Sequence, residues 1–195
     1  MNAKSLEMLV NPPCDARIVY SYTEESQVAE AVGVFAIAGI RKNEAILLLM
    51  TEAHYDPILR RLRSGGLDVD ALTASGQLVC ETAESLLSSF MVGGIIDEMI
   101  CESKLGGLIG KAKASVEGRS VRVFAEMVSL IWQSRLGATE RLERLWNEMI
   151  RKHTVPLLCA YAMAGNGMDA LPVALRKCHS HHLDSRESTS SAGVP

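Results

Sequence analysis

The chain of 195 residues is poor in several things, and each shortage narrows the reading. Aromatic residues make up only 5% of it, so a core has to be built from aliphatic side chains. Neither sign of charge prevails, since 20 basic residues against 23 acidic ones leave a formal net charge of −3. That excludes the strong positive field by which a dedicated nucleic-acid binder grips phosphates. No apolar run approaches the roughly 18 residues of a membrane span, the longest being 32–40 and 45–50. Residues 1–15 carry one lysine, scattered leucines and a proline pair without the apolar centre of a secretory leader, so a cytoplasmic location is expected. The five cysteines (Cys14, Cys80, Cys101, Cys159 and Cys178) are odd in number and widely spaced, which suits reduced thiols rather than a disulfide framework. Cys80 and Cys159 lie in apolar runs and read as small core residues.

Catalytic signatures are missing too. A phosphate loop needs glycines and a Lys-Ser/Thr pair between a strand and a helix, so that backbone amides can cradle the phosphates. The nearest approach, Gly106-Gly107-Leu108-Ile109-Gly110-Lys111-Ala112, has Leu105 where the first glycine belongs and Ala112 in place of the hydroxyl. It also falls within a helical stretch, so it reads as a glycine-rich, close-packed helix. There is no dinucleotide fingerprint, nucleophile elbow, zinc-protease helix or Cys-x-x-Cys pair. No cofactor is expected, and the chain is not expected to be an enzyme.

What is present is a regular alternation. Apolar runs at 17–22, 45–50, 77–80, 119–124 and 156–161 read as strands. Helical spacing marks 27–40, 51–63, a short turn at 68–75, then 83–91, 95–113, 126–133 and 138–153. The run 45–50 (AILLLM) is apolar throughout, as a strand covered on both faces should be. The pattern predicts an α/β three-layer sandwich with a mostly parallel central sheet of about five strands. In such sheets the functional crevice opens at the carboxyl ends of the strands. The segments to watch are therefore 22–25, 51–54, 81–84, 125–127 and 161–163. The Ser-rich tail from Asp184 has the composition of a disordered segment.

Within this frame, Glu126 directly follows a strand and could accept hydrogen bonds from a ligand, hold a cation or act as a base. His54 follows the second strand, where a lone histidine is more often a capping or surface residue than a ligand. In the helix 138–153, Leu142, Leu145, Trp146 and Met149 form the inward stripe, and Glu140, Arg144 and Glu148 form pairs on a solvated face. Trp132 and Trp146 suit either the core or an apolar pocket. Cys178, His179, His181 and His182 are a dense group of soft ligands at the edge of the tail, a weak metal candidate.

Taken in order, the blocks IVYSYTEES, FAIAGIRKNEAILLLMTEAHYDPILRRL, GLDVDALTASGQLVCETAESLLSSFM, VRVFAEMVSLIW, RLERLWNEM and PLLCAYAM resemble the MEDS domain, the methanogen/methylotroph DcmR sensory domain. The chain departs from that family's pattern at Ala125 and Asn43, where glycine is usual, and at Arg17, near a usual histidine. The resemblance implies a RecA/KaiC-like fold without a phosphate loop and a sensory, signal-transducing role. It also implies a signalling partner such as a histidine kinase or a transcription regulator. The chain would be a stand-alone version, with an extension at 1–16, the sensory domain at 17–165 and a second extension at 166–195. Glu126, Trp132, Glu143, Trp146, Asn147 and Tyr161 fall in the matching blocks, as does Cys159. With Tyr22 and His54 at the strand ends, those six are the candidates for binding a small molecule or partner protein. Two other readings stand beside this one: a residual nucleotide-binding or hydrolytic enzyme using Glu126 with a divalent ion, and a homo-oligomerising scaffold.

Overall fold

A computed structural model describes residues 1–163 and 172–185. Its strands are β1 (Arg17–Tyr22), β2 (Ala45–Met50), β3 (Leu78–Thr82), β4 (Met91–Val92), β5 (Ile95–Ile96), β6 (Val121–Ala125), β7 (Leu157–Ala162) and β8 (His181–Asp184). Its helices are α1 (Ala3–Val10), α2 (Glu25–Arg41), α3 (Glu52–Ser64), α4 (Val69–Ser75), α5 (Ala83–Ser88), α6 (Glu98–Ser115), α7 (Leu136–His153) and α8 (Val173–Lys177). Six strands form one parallel sheet in the order β3-β2-β6-β7-β1-β8. The expected α/β sandwich is thus present, with one strand more than the five expected.

Every residue of β1, β2 and β6 is buried, because apolar clusters cover both faces of the sheet. On one face Val19, Leu47, Val123 and Tyr161 pack with α6 and α7 residues such as Leu105, Ile109, Leu142 and Trp146. On the other, Ile18, Tyr20, Leu48 and Phe124 pack with Phe35 of α2, Ile58 of α3 and Leu9 of α1. No helix among the described residues is long and apolar enough to cross a membrane.

Three segments differ from the sequence reading. The helix expected at 83–91 stops at Ser88, and 91–96 instead form a two-stranded hairpin. Gly93 (φ 59°) and Gly94 (φ 83°) make its turn, and two successive positive φ angles are what a tight hairpin turn demands. The helix expected at 126–133 is a run of turns over 127–134, closed by bonds such as Ser129 N–H to Glu126 O and Trp132 N–H to Val128 O. The histidine-rich stretch at the edge of the expected tail includes β8, paired in parallel with β1 from Ile18–His181 to Ser21–Asp184. The disorder expected from Asp184 onward is not found at Asp184, which ends β8 opposite Ser21, and the rest of that tail, 186–195, lies outside the described residues.

Asn43 has φ 58° in the turn between α2 and β2. This is the left-handed region that glycine adopts freely and asparagine tolerates best among the other residues. The asparagine at that position is thereby accounted for.

Arg122 of β6 is buried and anchors α1 to the sheet. Its guanidinium donates to the carbonyls of Leu9 (3.0 Å), Val10 (3.1 Å) and Phe35 (3.1 Å). It also pairs with Glu44 and lies 5.3 Å from the centre of the Phe35 ring. Lys42 donates to the Val10 carbonyl at 3.0 Å. Two cations thus meet the carboxyl end of α1, where the helix dipole is negative.

Candidate functional site

At the carboxyl ends of the strands, between the two helical layers, lies a cleft of about 470 Å³. Tyr22 ends β1, Thr51 and His54 follow β2, Ala162 ends β7, and the turns after β6 bring in Ser129, Leu130, Trp132, Gln133 and Ser134. Glu25 at the start of α2 and Glu84 in α5 complete the rim. Glu84 is held in place by the Glu52 amide, which it accepts at 3.1 and 3.2 Å.

Behind the lining residues Thr51 and His54 lies a buried polar cluster. Glu126 is 1% exposed, and both its oxygens are occupied. One accepts the Thr51 amide (2.9 Å) and hydroxyl (3.2 Å), and the other accepts the Nδ1–H of His54 (2.7 Å). On its other side, His54 Nε2 meets the carboxylate of the exposed Glu25. The Tyr22 ring lies edge-on to the imidazole with centroids 5.8 Å apart. Burial alone would lower the His54 pKa, but the carboxylates of Glu126 and Glu25 outweigh it and raise it above 6.5. Burial, reinforced by the same two carboxylates, holds Tyr22 in its neutral phenol form.

The amino end of α2, where a phosphate loop would point, is closed from within. Gln27 Oε1 accepts the amides of Thr23 (3.0 Å) and Glu24 (3.1 Å). The glycine run 106–110 is helical along its length within α6. An added Cβ at Gly106 would meet Met149 at 3.5 Å, whereas Gly107 and Gly110 face open space, so close packing holds at one of the three glycines.

Of the eight candidates, the structure brings Tyr22, His54, Glu126 and Trp132 together at the cleft. The other four are not among the residues lining it: Glu143, Trp146 and Asn147 belong to α7 and Tyr161 to β7. Glu143, a binding candidate through the resemblance, is fully buried. It pairs with Arg17 and accepts the Tyr161 hydroxyl at 2.6 Å. Arg17 also donates to Asn147 Oδ1 at 2.7 Å. Trp146 is fully buried in the core beside them. Such burial of Glu143 is tolerable because the guanidinium and phenol fill its oxygens. Of the surface pairs expected on this helix, Arg144 meets Glu148 at 3.4 Å and also pairs with Glu98 of α6. The two groups of candidates touch, since Trp132 meets Tyr161 edge-to-face with centroids 6.3 Å apart.

Cys178, His179, His181 and His182 do not converge. His179 is buried, with Nδ1 2.9 Å from the Leu175 carbonyl and its ring edge-on to Tyr161. His181 Nδ1 lies 2.8 Å from Ser180 Oγ, and His182 Nε2 lies 3.2 Å from the His179 carbonyl. Among the described residues no group of three His, Cys, Asp or Glu side chains is placed to hold a metal ion. All five cysteines are free thiols. Cys159 is buried as expected, and burial, with the Glu143 carboxylate, pushes its thiol up to about 12. Cys80 is only half-buried against the core.

Arg17, Thr51, Glu25 and Glu84 are not among the site candidates read from the sequence, Arg17 being noted there only as a departure from the family pattern. The last three fall in the strand-end segments, and that position was their signal. Nothing local in the sequence marks Arg17, because its partner lies 126 residues away.

Three histidines have shifted values and set an expected pH profile of stability: His54 is raised, and His179 and His153 are lowered, the latter by burial and by Lys113 and Lys152, so that His153 adds to the acid limb dominated by His179. His54 has a folded pKa above its unfolded value, so its contribution is complete below about pH 6.5 and is lost as pH rises through the folded value. His179 is lowered to about 4 by burial, the largest cause, with Arg17 adding to it. Its penalty grows as pH falls from 6.5, reaching roughly 3 kcal/mol near pH 4. Thermal unfolding should therefore be most resistant near pH 6.5. The variant His54→Gln should flatten the alkaline limb and His179→Gln the acid limb. Unchanged limbs in these variants would refute the assignment.

Compared with known families, residues 18–180 match the family described as MEDS, the methanogen/methylotroph DcmR sensory domain. No curated protein matches the chain.

Proposed function

Since the chain belongs to the MEDS family of sensory domains, we propose that it is a non-catalytic, cytoplasmic sensory module that binds a small molecule in the carboxyl-end cleft. The observation that carries this reading is the cleft itself. Aromatic walls from Tyr22 and Trp132 stand over a buried His54–Glu126 pair, at the strand ends where ligands bind in parallel sheets. The Glu126 oxygens are occupied by Thr51 and His54, which favours a positioning role for this carboxylate over ligation of a divalent ion.

The bound state reaches the rest of the fold through Trp132. A ligand that shifts this ring also shifts Tyr161, whose hydroxyl is tied to Glu143 and through it to Arg17 of β1. The readout is a signalling protein such as a histidine kinase or transcription regulator. A thermal-shift screen of small molecules should find compounds that raise Tm in the native protein and not in Trp132→Ala. A ligand at about 100 times its Kd adds about 2.7 kcal/mol. In Tyr161→Phe binding should persist while hydrogen exchange in α7 no longer responds to it. A screen without a stabilising compound would count against the cleft as a sensor.

A second reading, partner docking or self-association, is favoured by the hairpin of β4 and β5. Val92 (70% exposed) and Ile95 (66%) stand at its tip, with Met99 and Leu136 also exposed. If this apolar tip is an interface, Val92→Ser with Ile95→Ser should shift the light-scattering mass to that of a monomer. A native chain that is already monomeric at high concentration removes the self-association version.

A further inference from the structure

The cleft is one-sided in charge. Its described lining includes the carboxylates of Glu25 and Glu84 and no lysine or arginine. A third carboxylate, Glu126, lies buried directly behind the lining residues Thr51 and His54, and His54 alone among the described lining residues can carry positive charge. Three carboxylates against one imidazole leave the site formally negative in either protonation state of His54.

This arrangement selects by charge. An anion entering the cleft leaves water to face carboxylates without a basic partner, and buried charge of one sign is costly. A cation meets the opposite situation. The rings of Tyr22 and Trp132 add attraction, because an aromatic face within about 6 Å of a cation is favourable, most of all for tryptophan. Tyr22 is kept as the neutral phenol, so it adds no charge of its own. A bare metal ion needs several converging ligands, and no such group exists among the described residues. An organic cation needs only a negative environment and apolar contact. A volume of about 470 Å³ is within the range of small-molecule sites.

We propose that the cleft takes a small organic cation of the alkylammonium or quaternary ammonium class, with Glu25 and Glu84 supplying the charge and Trp132 and Tyr22 the aromatic surface. The proposal rests on the reading of the cleft as the ligand site.

The test titrates the full chain with three probes of similar size and different charge: choline, its neutral isostere 3,3-dimethylbutan-1-ol, and butyrate. Binding is read by calorimetry and by tryptophan fluorescence. Trp146 is fully buried, so a response lost in Trp132→Phe reports on the cleft. Choline should bind about tenfold or more tightly than the isostere, a difference of about 1.4 kcal/mol, and butyrate should not bind. Glu84→Gln and Trp132→Ala should each weaken choline about fivefold or more while folding, checked by circular dichroism, is retained. Equal binding of choline and the isostere, both lost in Trp132→Ala, would overturn the charge selection and leave the cleft as the site. Preference for butyrate would do the same. Choline binding indifferent to both variants would place it elsewhere and overturn the proposal. Failure of all three probes at millimolar concentration would overturn the proposal and count against the cleft reading as well.

Discussion

Replacing Glu143 with alanine is expected to cost about 3–5 kcal/mol of folding stability, seen as a lower urea midpoint. Glu143 sits fully buried on the inner face of α7, between the guanidinium of Arg17 and the hydroxyl of Tyr161. Removing it leaves a nearly buried Arg17 with Asn147 and the residue-143 carbonyl, and no counter-charge. Tyr161 loses the acceptor for its hydroxyl at the same time, and an unsatisfied buried donor costs about 1–3 kcal/mol by itself. The cost arises from the stranded charge rather than from attraction within the pair, and the two sources are separable. Arg17→Met combined with Glu143→Leu should recover most of the loss, because apolar replacement of a whole buried pair is often neutral or stabilising. A cycle in which the double variant is as unstable as the sum of the singles would refute this account. So would a loss below about 1 kcal/mol in Glu143→Ala, the worth of an exposed pair.

Arg122→Met is the second change of this size, at about 3–5 kcal/mol. It removes the donor shared by the carbonyls of Leu9, Val10 and Phe35 and strips Glu44 of its partner. The effect should be uneven across the molecule. Helix α1 is held by Arg122, by Lys42 and by the buried Leu9, so its amides should exchange with solvent much faster than those of the sheet. Exchange that rises equally in α1 and the sheet would show that Arg122 serves the whole core instead. Leaving Lys42 in place matters for this comparison, since it still caps the Val10 carbonyl.

The layers and the position of the cleft were legible in the sequence because they follow from local patterns. Runs such as AILLLM admit few readings, and the strand-end rule pointed to the segments that hold Tyr22, His54 and Glu126. Long-range pairing was not legible. Arg17 stands at the start of an apolar strand, and only the parallel alignment of β1 with β7 brings it beneath α7. In Arg141–Glu148 the charges repeat every few residues, which is what a solvated helix face also shows, so Glu143 gave no sign of burial. The turns after β6 were misread for a related reason. Residues 126–133 have helical spacing, but the chain there bends around the cleft in single turns, with i+3 bonds such as Ser129 to Glu126 interleaved with i+4 bonds such as Trp132 to Val128. The hairpin at 91–96 could have been found from Gly93-Gly94 between apolar residues, the strongest local signal for such a turn.

The sheet order also bears on how the chain comes to be folded. β1 is bonded only to β7 and β8, whereas β2, β3 and β6 pair among themselves. β1 stands earliest of the six strands in the chain, yet its partner β7 begins only at Leu157. β2, β3 and β6 pair within residues 45–125, whereas β1 pairs only with strands that lie more than 130 residues further on. Pairing across so much sequence is slow. Without β7, Ile18, Val19 and Tyr20 have no partner strand on that side, so a chain truncated before Leu157 is expected to aggregate more readily than the intact one.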